Sequence, residues 1–169
     1  MAETTTEFDM QLAVMNYHSP FGGKLLIPNI NTGYGEADVL MLSKAGYAIE
    51  YEIKISRSDF AADKKKVYKH NTYEKVFRNE PFVWWNDKPR RKNGIPNYFV
   101  YVVPFYFNLD TLKVPEYAGL WVVGESGISF EKVPPCIHKE KHKEFWVGKI
   151  AHSLNAKYYY HYFSQRRYR

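Results

Sequence analysis

The strongest constraint on the fold is a run of alternating polar and apolar residues that predicts a β-hairpin. Two apolar-rich segments, residues 37–42 and 47–55, flank a Lys-Ala-Gly turn, as is typical of a hairpin. Side chains in a strand alternate between its two faces, so Glu50, Glu52 and Lys54 share one face of the second strand. The opposite face is apolar and ordinary for a core. Two carboxylates and an ammonium group therefore stand in a row where a covered strand would be apolar.

Pairing within this hairpin is expected to bring Asp38, near the start of the first strand, close to Glu52. Asp38, Glu52 and Lys54 then fit the spacing D-x13-E-x-K. Carboxylates of this kind can hold a divalent cation, with the backbone carbonyl of Ile53 as a further oxygen ligand. Lys54 could hold or deprotonate an attacking water, or contact a phosphate. Glu50 is open to two interpretations, an additional metal ligand or a solvated charge near the edge of the strand.

These residues carry a resemblance to a known family. The spacing resembles that of the PD-(D/E)XK nuclease superfamily, and the string EYEIKISRSDFAADKKK resembles its MmcB-type branch of DNA-repair and phage-encoded proteins. PNYFVYVVP and VPEYAGLWVV extend the likeness, which covers residues 29–133. Ala37 stands where the motif's name has proline, but proline only shapes the backbone and does not ligate metal.

The resemblance implies an α/β fold in which a mixed sheet is flanked by helices. Its core order would be α-β-β-β-α-β, extended here by a C-terminal hairpin and helix. It also implies that Asp38, Glu52 and Lys54 are catalytic, with Mg²⁺ or Mn²⁺ as cofactor and DNA as substrate. The expected activity is phosphodiester hydrolysis in DNA repair, recombination or phage DNA metabolism. Two alternatives stay open, a non-catalytic nucleic-acid-binding protein that retains the nuclease fold and an adaptor or inhibitor that acts through protein contacts.

Composition agrees with a nucleic-acid partner. The 169 residues suit one domain, and 24 Lys and Arg against 18 Asp and Glu give a net charge of +6, which favours a polyanion. Cys136 is the single cysteine, so no intrachain disulfide can form and a reducing compartment fits. No apolar run reaches the roughly 20 residues of a membrane span, and the polar N-terminus is unlike a signal peptide. A cytoplasmic protein without a membrane partner is expected.

Two basic segments are candidates for phosphate contact. Ser56 and Asp59 form an S-x-x-D capping pattern that opens a helix to about residue 70, directly after the strand that carries Glu52. A loop over residues 86–97 is also basic. The alternative is a solvated helix face and a surface loop with no role. The predicted nucleic-acid contacts are Lys65, Lys66, Lys69, His70, Arg90, Arg91 and Lys92.

The terminal helices are predicted from their apolar periodicity. Over residues 5–17, Phe8, Leu12 and Met15 form the expected buried stripe. A closing helix is predicted over residues 139–163. Its expected buried stripe consists of Val147, Ile150, Ala151, Leu154, Tyr158 and Tyr162. The tyrosine-rich end of this helix is expected to bury one tyrosine face; the alternative is stacking on unpaired bases beside the terminal arginines.

A zinc site is a minor alternative for the metal. Cys136, His138 and His142 offer one thiolate and two imidazoles, and the two histidines could share a helix face. The spacing suggests no fourth ligand, and the same run is also an ordinary charged start of a helix.

Overall fold

The computed structural model describes residues 5–19, 22–81 and 92–166 of the chain. The described strands are β1 (Leu25–Asn31), β2 (Glu36–Leu42), β3 (Ala48–Ile53), β4 (Tyr98–Pro104), β5 (Ala118–Gly124) and β6 (Gly127–Lys132). The described helices are α1 (Glu7–His18), α2 (Arg57–Asp63), α3 (Val67–Phe77) and α4 (Lys143–Arg166). The strands form one six-stranded sheet in the order β1-β2-β3-β4-β5-β6. The predicted α/β class, a mixed sheet flanked by helices, is confirmed.

The strands of this sheet run in mixed directions. β2 runs antiparallel to its neighbours β1 and β3; β3, β4 and β5 run parallel, and β6 returns antiparallel to β5. The predicted β2–β3 hairpin is confirmed, and its recorded register runs from Leu42 opposite Ala48 to Val39 opposite Tyr51. The turn uses Gly46 at φ +89°, a left-handed conformation that glycine adopts without steric cost.

The sheet buries both faces, as expected for strands with parallel neighbours on either side. On the α1 side the buried residues are Met10, Val14, Val39, Met41, Tyr51, Ile53, Val100, Val102 and Trp121. On the α2–α3 side they include Phe60, Tyr73, Val76, Phe99, Tyr101, Val103, Tyr117 and Leu120. In the β3–β4 register Glu50 lies beside Phe99 and Glu52 beside Tyr101. The charged face of β3 is therefore the one that α2 and α3 cover.

Helix α1 turns a different face to the sheet from the one predicted. Thr6 caps it, and Met10 and Val14 are fully buried. Phe8 and Leu12 are exposed, so the prediction that they form the buried stripe is wrong. Met10 and Val14 are four residues apart and pack together against the sheet, which is the contact that selects the buried face.

The predicted long helix after the hairpin is two helices. Ser56 caps α2 and accepts a hydrogen bond from the amide of Asp59, as its sequence pattern predicts. α2 ends at Asp63, and α3 begins at Val67 after a non-helical Lys66 at φ −76° and ψ +51°. The prediction of a single continuous helix is wrong; after this break, Lys69 of α3 contacts Glu50 and Glu52 of β3.

Helix α4 is docked over only part of its length. Trp146 and Ile150 are buried against β1 and β2, with Trp146 completely so. Lys157 then donates a hydrogen bond to the carbonyl of Pro28. Of the predicted buried stripe, only Ile150 is buried. Exposed instead are Val147, Ala151, Leu154, Tyr158 and Tyr162. Within the described ranges, no helix is both long and apolar enough to cross a membrane.

Candidate active site

The three predicted catalytic residues meet where the β2–β3 hairpin ends. The recorded register pairs Val39 with Tyr51, which leaves Asp38 opposite Glu52 at the next position. Asp38 Oδ2 accepts a hydrogen bond from the backbone amide of Ile53 at 2.6 Å. Lys54 Nζ donates to Glu52 Oε1 at 2.9 Å. The structure thus brings together side chains separated by a whole strand and turn.

Asp38 has an environment that disfavours its charge. Burial and the negative charge of Glu52 together raise the pKa of Asp38 to about 7, against the opposing effects of the Ile53 amide and Lys54. Both causes penalise the ionised carboxylate, and a nearby cation would favour it.

Glu52 is almost fully buried and is surrounded by ammonium groups. Its Oε1 accepts from Lys54 and Lys66, while Oε2 accepts from Lys69 at 2.7 Å. Burial alone would raise the pKa of Glu52, but Lys69 and Lys54 outweigh it and lower that pKa. Glu52 therefore stays ionised inside the protein. Among its three lysines, Lys66 reaches solvent, with 44% of its side chain exposed, whereas Lys54 and Lys69 are buried.

Behind Glu52 lies a buried pair of opposite charges. Lys69 is 1% exposed, and its ammonium also pairs with the fully buried Glu50. Tyr73 donates its hydroxyl hydrogen to Glu50 Oε2 at 2.8 Å. Burial raises the pKa of Glu50 despite Lys69. The interpretation of Glu50 as a solvated edge charge is wrong, because α3 covers it; its contacts are with Lys69 and Tyr73.

Asp63 belongs to the same charge cluster, although it is not among the predicted site residues. It is 2% exposed and lies 3.2 Å from the ammonium of Lys54. Tyr101 donates to its Oδ2 at 2.7 Å, and His70 Nε2 lies 2.9 Å from the same oxygen. Burial opposes its ionisation, but the hydrogen bonds of His70 and Tyr101 lower the pKa of Asp63. In the sequence, Asp63, Lys66 and His70 are three and four residues apart, but they meet across the break between α2 and α3 and not along one helix.

Lys54 is therefore held between carboxylates on two sides. It contacts Glu52 at 2.9 Å, Asp63 at 3.2 Å and the half-exposed Asp59 at 3.5 Å. Burial opposes its positive charge, but Glu52, followed by Asp63 and Asp59, raises the pKa of Lys54. Lys54 is an ammonium group at neutral pH.

The predicted phosphate-binding helix face is only partly available to a ligand. Lys65 is exposed, and Lys66 is partly exposed while bound to Glu52. The expectation that Lys69 belongs to an exposed basic face is wrong, because it is buried between two carboxylates. His70 is also largely covered, with its Nδ1 and the Tyr117 hydroxyl 2.6 Å apart.

The predicted basic loop is described only at its end. Lys92 is partly exposed and pairs with Glu140 at 3.0 Å. Arg90 and Arg91 lie outside the described residues.

The oxygen donors present suit a hard divalent cation. Magnesium takes few protein carboxylates and keeps water in its remaining positions, so Asp38, Glu52 and the Ile53 carbonyl are oxygen donors of the kind it prefers. Both carboxylate oxygens of Glu52, however, accept hydrogen bonds from lysines. In the described part of the chain, no cluster of three or more His, Cys, Asp or Glu side chains is arranged to hold a metal. The zinc alternative gains no support there, because Cys136 donates its thiol hydrogen to the carbonyl of His138.

Comparison with known proteins gives the fold and nothing finer. No protein-family model matches the chain, and no curated protein is significantly similar to it. A solved structure of a protein of unknown function from Silicibacter pomeroyi is similar, with a TM-score of 0.61 and 17% sequence identity. The match covers 90% of this chain and 89% of that one. At this identity the likeness establishes a shared fold for nearly the whole chain.

Proposed function

We propose that this protein is a Mg²⁺- or Mn²⁺-dependent nuclease of the PD-(D/E)XK type that hydrolyses phosphodiester bonds in DNA. The observation that carries the proposal is the meeting of Asp38, Glu52 and Lys54 at the end of one hairpin. The order of elements supports it as well, since α1-β1-β2-β3 followed by the α2–α3 pair and β4 matches the α-β-β-β-α-β core of that superfamily.

Each residue has a separate role in this proposal. Asp38 and Glu52 would hold the cation, with the Ile53 carbonyl as a further oxygen; when bound, the cation would supply a nucleophilic water and neutralise charge at the phosphate. Lys54, as an ammonium group among carboxylates, would orient that water or donate to a phosphate oxygen rather than act as a base. Lys69 fixes the other oxygen of Glu52 and so sets the direction of its carboxylate.

Lys66 determines access to Glu52. It shares Oε1 with Lys54, and its partly exposed side chain can move into solvent, while the buried Lys54 and Lys69 cannot. Lys66 is thus the group that a cation at Glu52 would replace. Once released it would lie, with Lys65, beside the site as a phosphate contact.

The net charge of +6 supports a DNA partner. We propose that the protein acts in the cytoplasm, in DNA repair, recombination or phage DNA metabolism.

One observation favours a second candidate, a non-catalytic nucleic-acid-binding protein with the same fold. The three lysines on Glu52 neutralise its charge without a metal, as a purely structural cluster would.

Cleavage of a labelled substrate panel distinguishes the two candidates. Single-stranded, duplex and branched DNA, together with RNA, would be incubated with the protein in Mg²⁺, Mn²⁺ or EDTA. We expect metal-dependent cleavage of DNA that is abolished in Asp38→Asn and retained in Asp110→Asn, a control at an exposed turn position. Binding to DNA without cleavage in either metal would instead establish the non-catalytic candidate.

A further inference from the structure

The second half of helix α4 presents an unusual density of exposed rings. Tyr158 and Tyr160 are 71% and 73% exposed. The aromatic end of α4, as we call this segment, consists of Tyr158, Tyr159, Tyr160, Tyr162 and Phe163, all of them exposed. The burial of a tyrosine face expected from the sequence is therefore wrong. Exposing so many aromatic rings to water is unfavourable, and a patch of exposed apolar side chains of this kind indicates a binding surface.

Helix geometry shows that Tyr159 and Phe163 point away from the body of the protein. An α-helix turns about 100° per residue, so Trp146, Ile150 and Lys157 lie within about 40° of one another around the axis. Those three residues contact the body of the protein. By the same count, Tyr159 and Phe163 lie on the opposite side of the helix. Their rings contact each other, with centroids 4.3 Å apart.

The charge of this part of the sequence indicates the kind of partner. From residue 145 to the C-terminus the sequence has no Asp or Glu but five Lys and Arg, namely Lys149, Lys157, Arg166, Arg167 and Arg169. A second copy of the chain would set this positive segment against its own like charge. A polyanion that also carries flat apolar rings complements both properties of the surface.

We infer that the aromatic end of α4 is a stacking surface for single-stranded nucleic acid. Unpaired bases expose their ring faces, and each base stacked on an aromatic side chain gains affinity largely without regard to sequence. Duplex DNA hides those faces within its own stack, so this surface distinguishes single strands from duplex. The inference deepens the proposed function by naming a preferred form of the nucleic acid, but it requires neither metal nor cleavage.

The inference is tested by fluorescence anisotropy in EDTA, with a labelled oligothymidylate of about 20 nucleotides and a duplex of the same length, comparable to the site sizes of single-strand binders. The test variant is Tyr159→Ala with Phe163→Ala, which removes the two rings that contact each other on the outer side of the helix. The matched variant, Tyr159→Phe, keeps both rings. Phe8→Ala with Phe105→Ala removes two similarly exposed rings elsewhere and is the control.

We expect the alanine pair to bind the oligothymidylate at least about 30-fold more weakly, the sum of two modest stacking contributions. The affinity of the alanine pair for duplex should stay within about threefold of wild type, because a duplex offers no unpaired base to stack. The affinities of the phenylalanine variant and of the control for the oligothymidylate should also stay within about threefold, because both keep the two rings of α4. Unchanged oligothymidylate binding by the alanine pair would overturn the inference, as would equal losses on single strand and duplex.

Two rival partners have their own signatures. Loss of binding to phosphatidylserine vesicles with unchanged oligothymidylate affinity would assign the surface to a membrane and overturn the inference. Conversion of a wild-type dimer to a monomer, with unchanged affinity, would assign it to self-association and also overturn it. If the alanine pair binds single strands normally, the stacking surface is refuted, but the proposed metal-dependent cleavage is not affected. If the protein binds single strands tightly through these rings but cleaves no DNA, the nuclease proposal is refuted and the stacking surface is supported.

Discussion

The buried Lys69 offers the most demanding test of the charge cluster. Lys69→Met keeps the length and much of the volume of the side chain but removes its ammonium group. Glu50 and Glu52, 0% and 1% exposed, would then lose a cation that both contact. Removing one partner of a buried ion pair typically costs about 3–5 kcal/mol, because the remaining charge is left without compensation inside the protein. The cluster as described predicts a loss of that size.

Thermal and urea unfolding would measure this loss. For a domain of this length, each kcal/mol lowers Tm by about 2–4 °C, so we expect a decrease of about 6–20 °C. Lys65→Met, at an exposed neighbouring position, should change the free energy of unfolding by less than about 0.5 kcal/mol. Lys69→Met combined with Glu50→Gln should be more stable than Lys69→Met alone, since it removes both charges of one pair.

The loss should also depend on pH in a definite direction. Burial already raises the pKa of Glu50, and removing Lys69 would raise it further. When a carboxyl group has a higher pKa in the folded than in the unfolded state, the protein becomes less stable as pH rises above the pKa that the group has in the unfolded chain. The difference between wild type and Lys69→Met should therefore be largest near neutral pH and shrink towards pH 4–5, about the ordinary pKa of glutamate. A loss below about 1 kcal/mol at pH 7, or a double variant no more stable than the single one, would refute the buried cluster.

Two further predictions concern groups on either side of the sheet. Burial lowers the pKa of His18 to about 4, so the folded state resists a proton that the unfolded chain accepts near pH 6.5. As pH falls from 6.5 to 4, this group should lower the free energy of unfolding by up to about 3 kcal/mol. In urea melts, His18→Gln should therefore show a weaker dependence of stability on pH than wild type. The same pH dependence in both proteins would contradict the lowered pKa of His18. Tyr101→Phe removes the hydroxyl that donates to Asp63 and should cost about 1–3 kcal/mol in the same melts. No measurable cost would mean that the hydrogen bond does not contribute in solution.

The hairpin and the meeting of its charged residues were predictable because both follow from local rules. Strand alternation puts Glu52 and Lys54 on one face, and a short antiparallel connection fixes which residue of β2 lies opposite. No long-range information is needed for Asp38 to reach Glu52. The nuclease activity itself stays a prediction that rests on the resemblance and on this geometry.

The burial of Lys69 could not be predicted in the same way. On a helical wheel it belongs with the exposed Lys65, and only the break after Asp63, which redirects α3, turns it towards Glu50. Sequence periodicity reports which residues share a face, but not what that face meets. The wrong prediction for α4 has the same cause. Its apolar pattern continues to Tyr158, but the helix packs on β1 and β2 only as far as Ile150, so Tyr158 is exposed.

The central claim is that Asp38, Glu52 and Lys54 form a hydrolytic centre, and single-turnover cleavage by Lys54→Met tests it most directly. The rate would be measured in Mg²⁺ on the best substrate of the panel, with DNA affinity measured separately in EDTA and folding checked by thermal melts. We predict a rate at least about 100-fold below wild type, because a preorganised charge next to the reacting phosphate is lost. Affinity should stay within about threefold, since it rests on many phosphate contacts. A folded Lys54→Met protein that cleaves DNA at close to the wild-type rate would contradict the assignment of this centre.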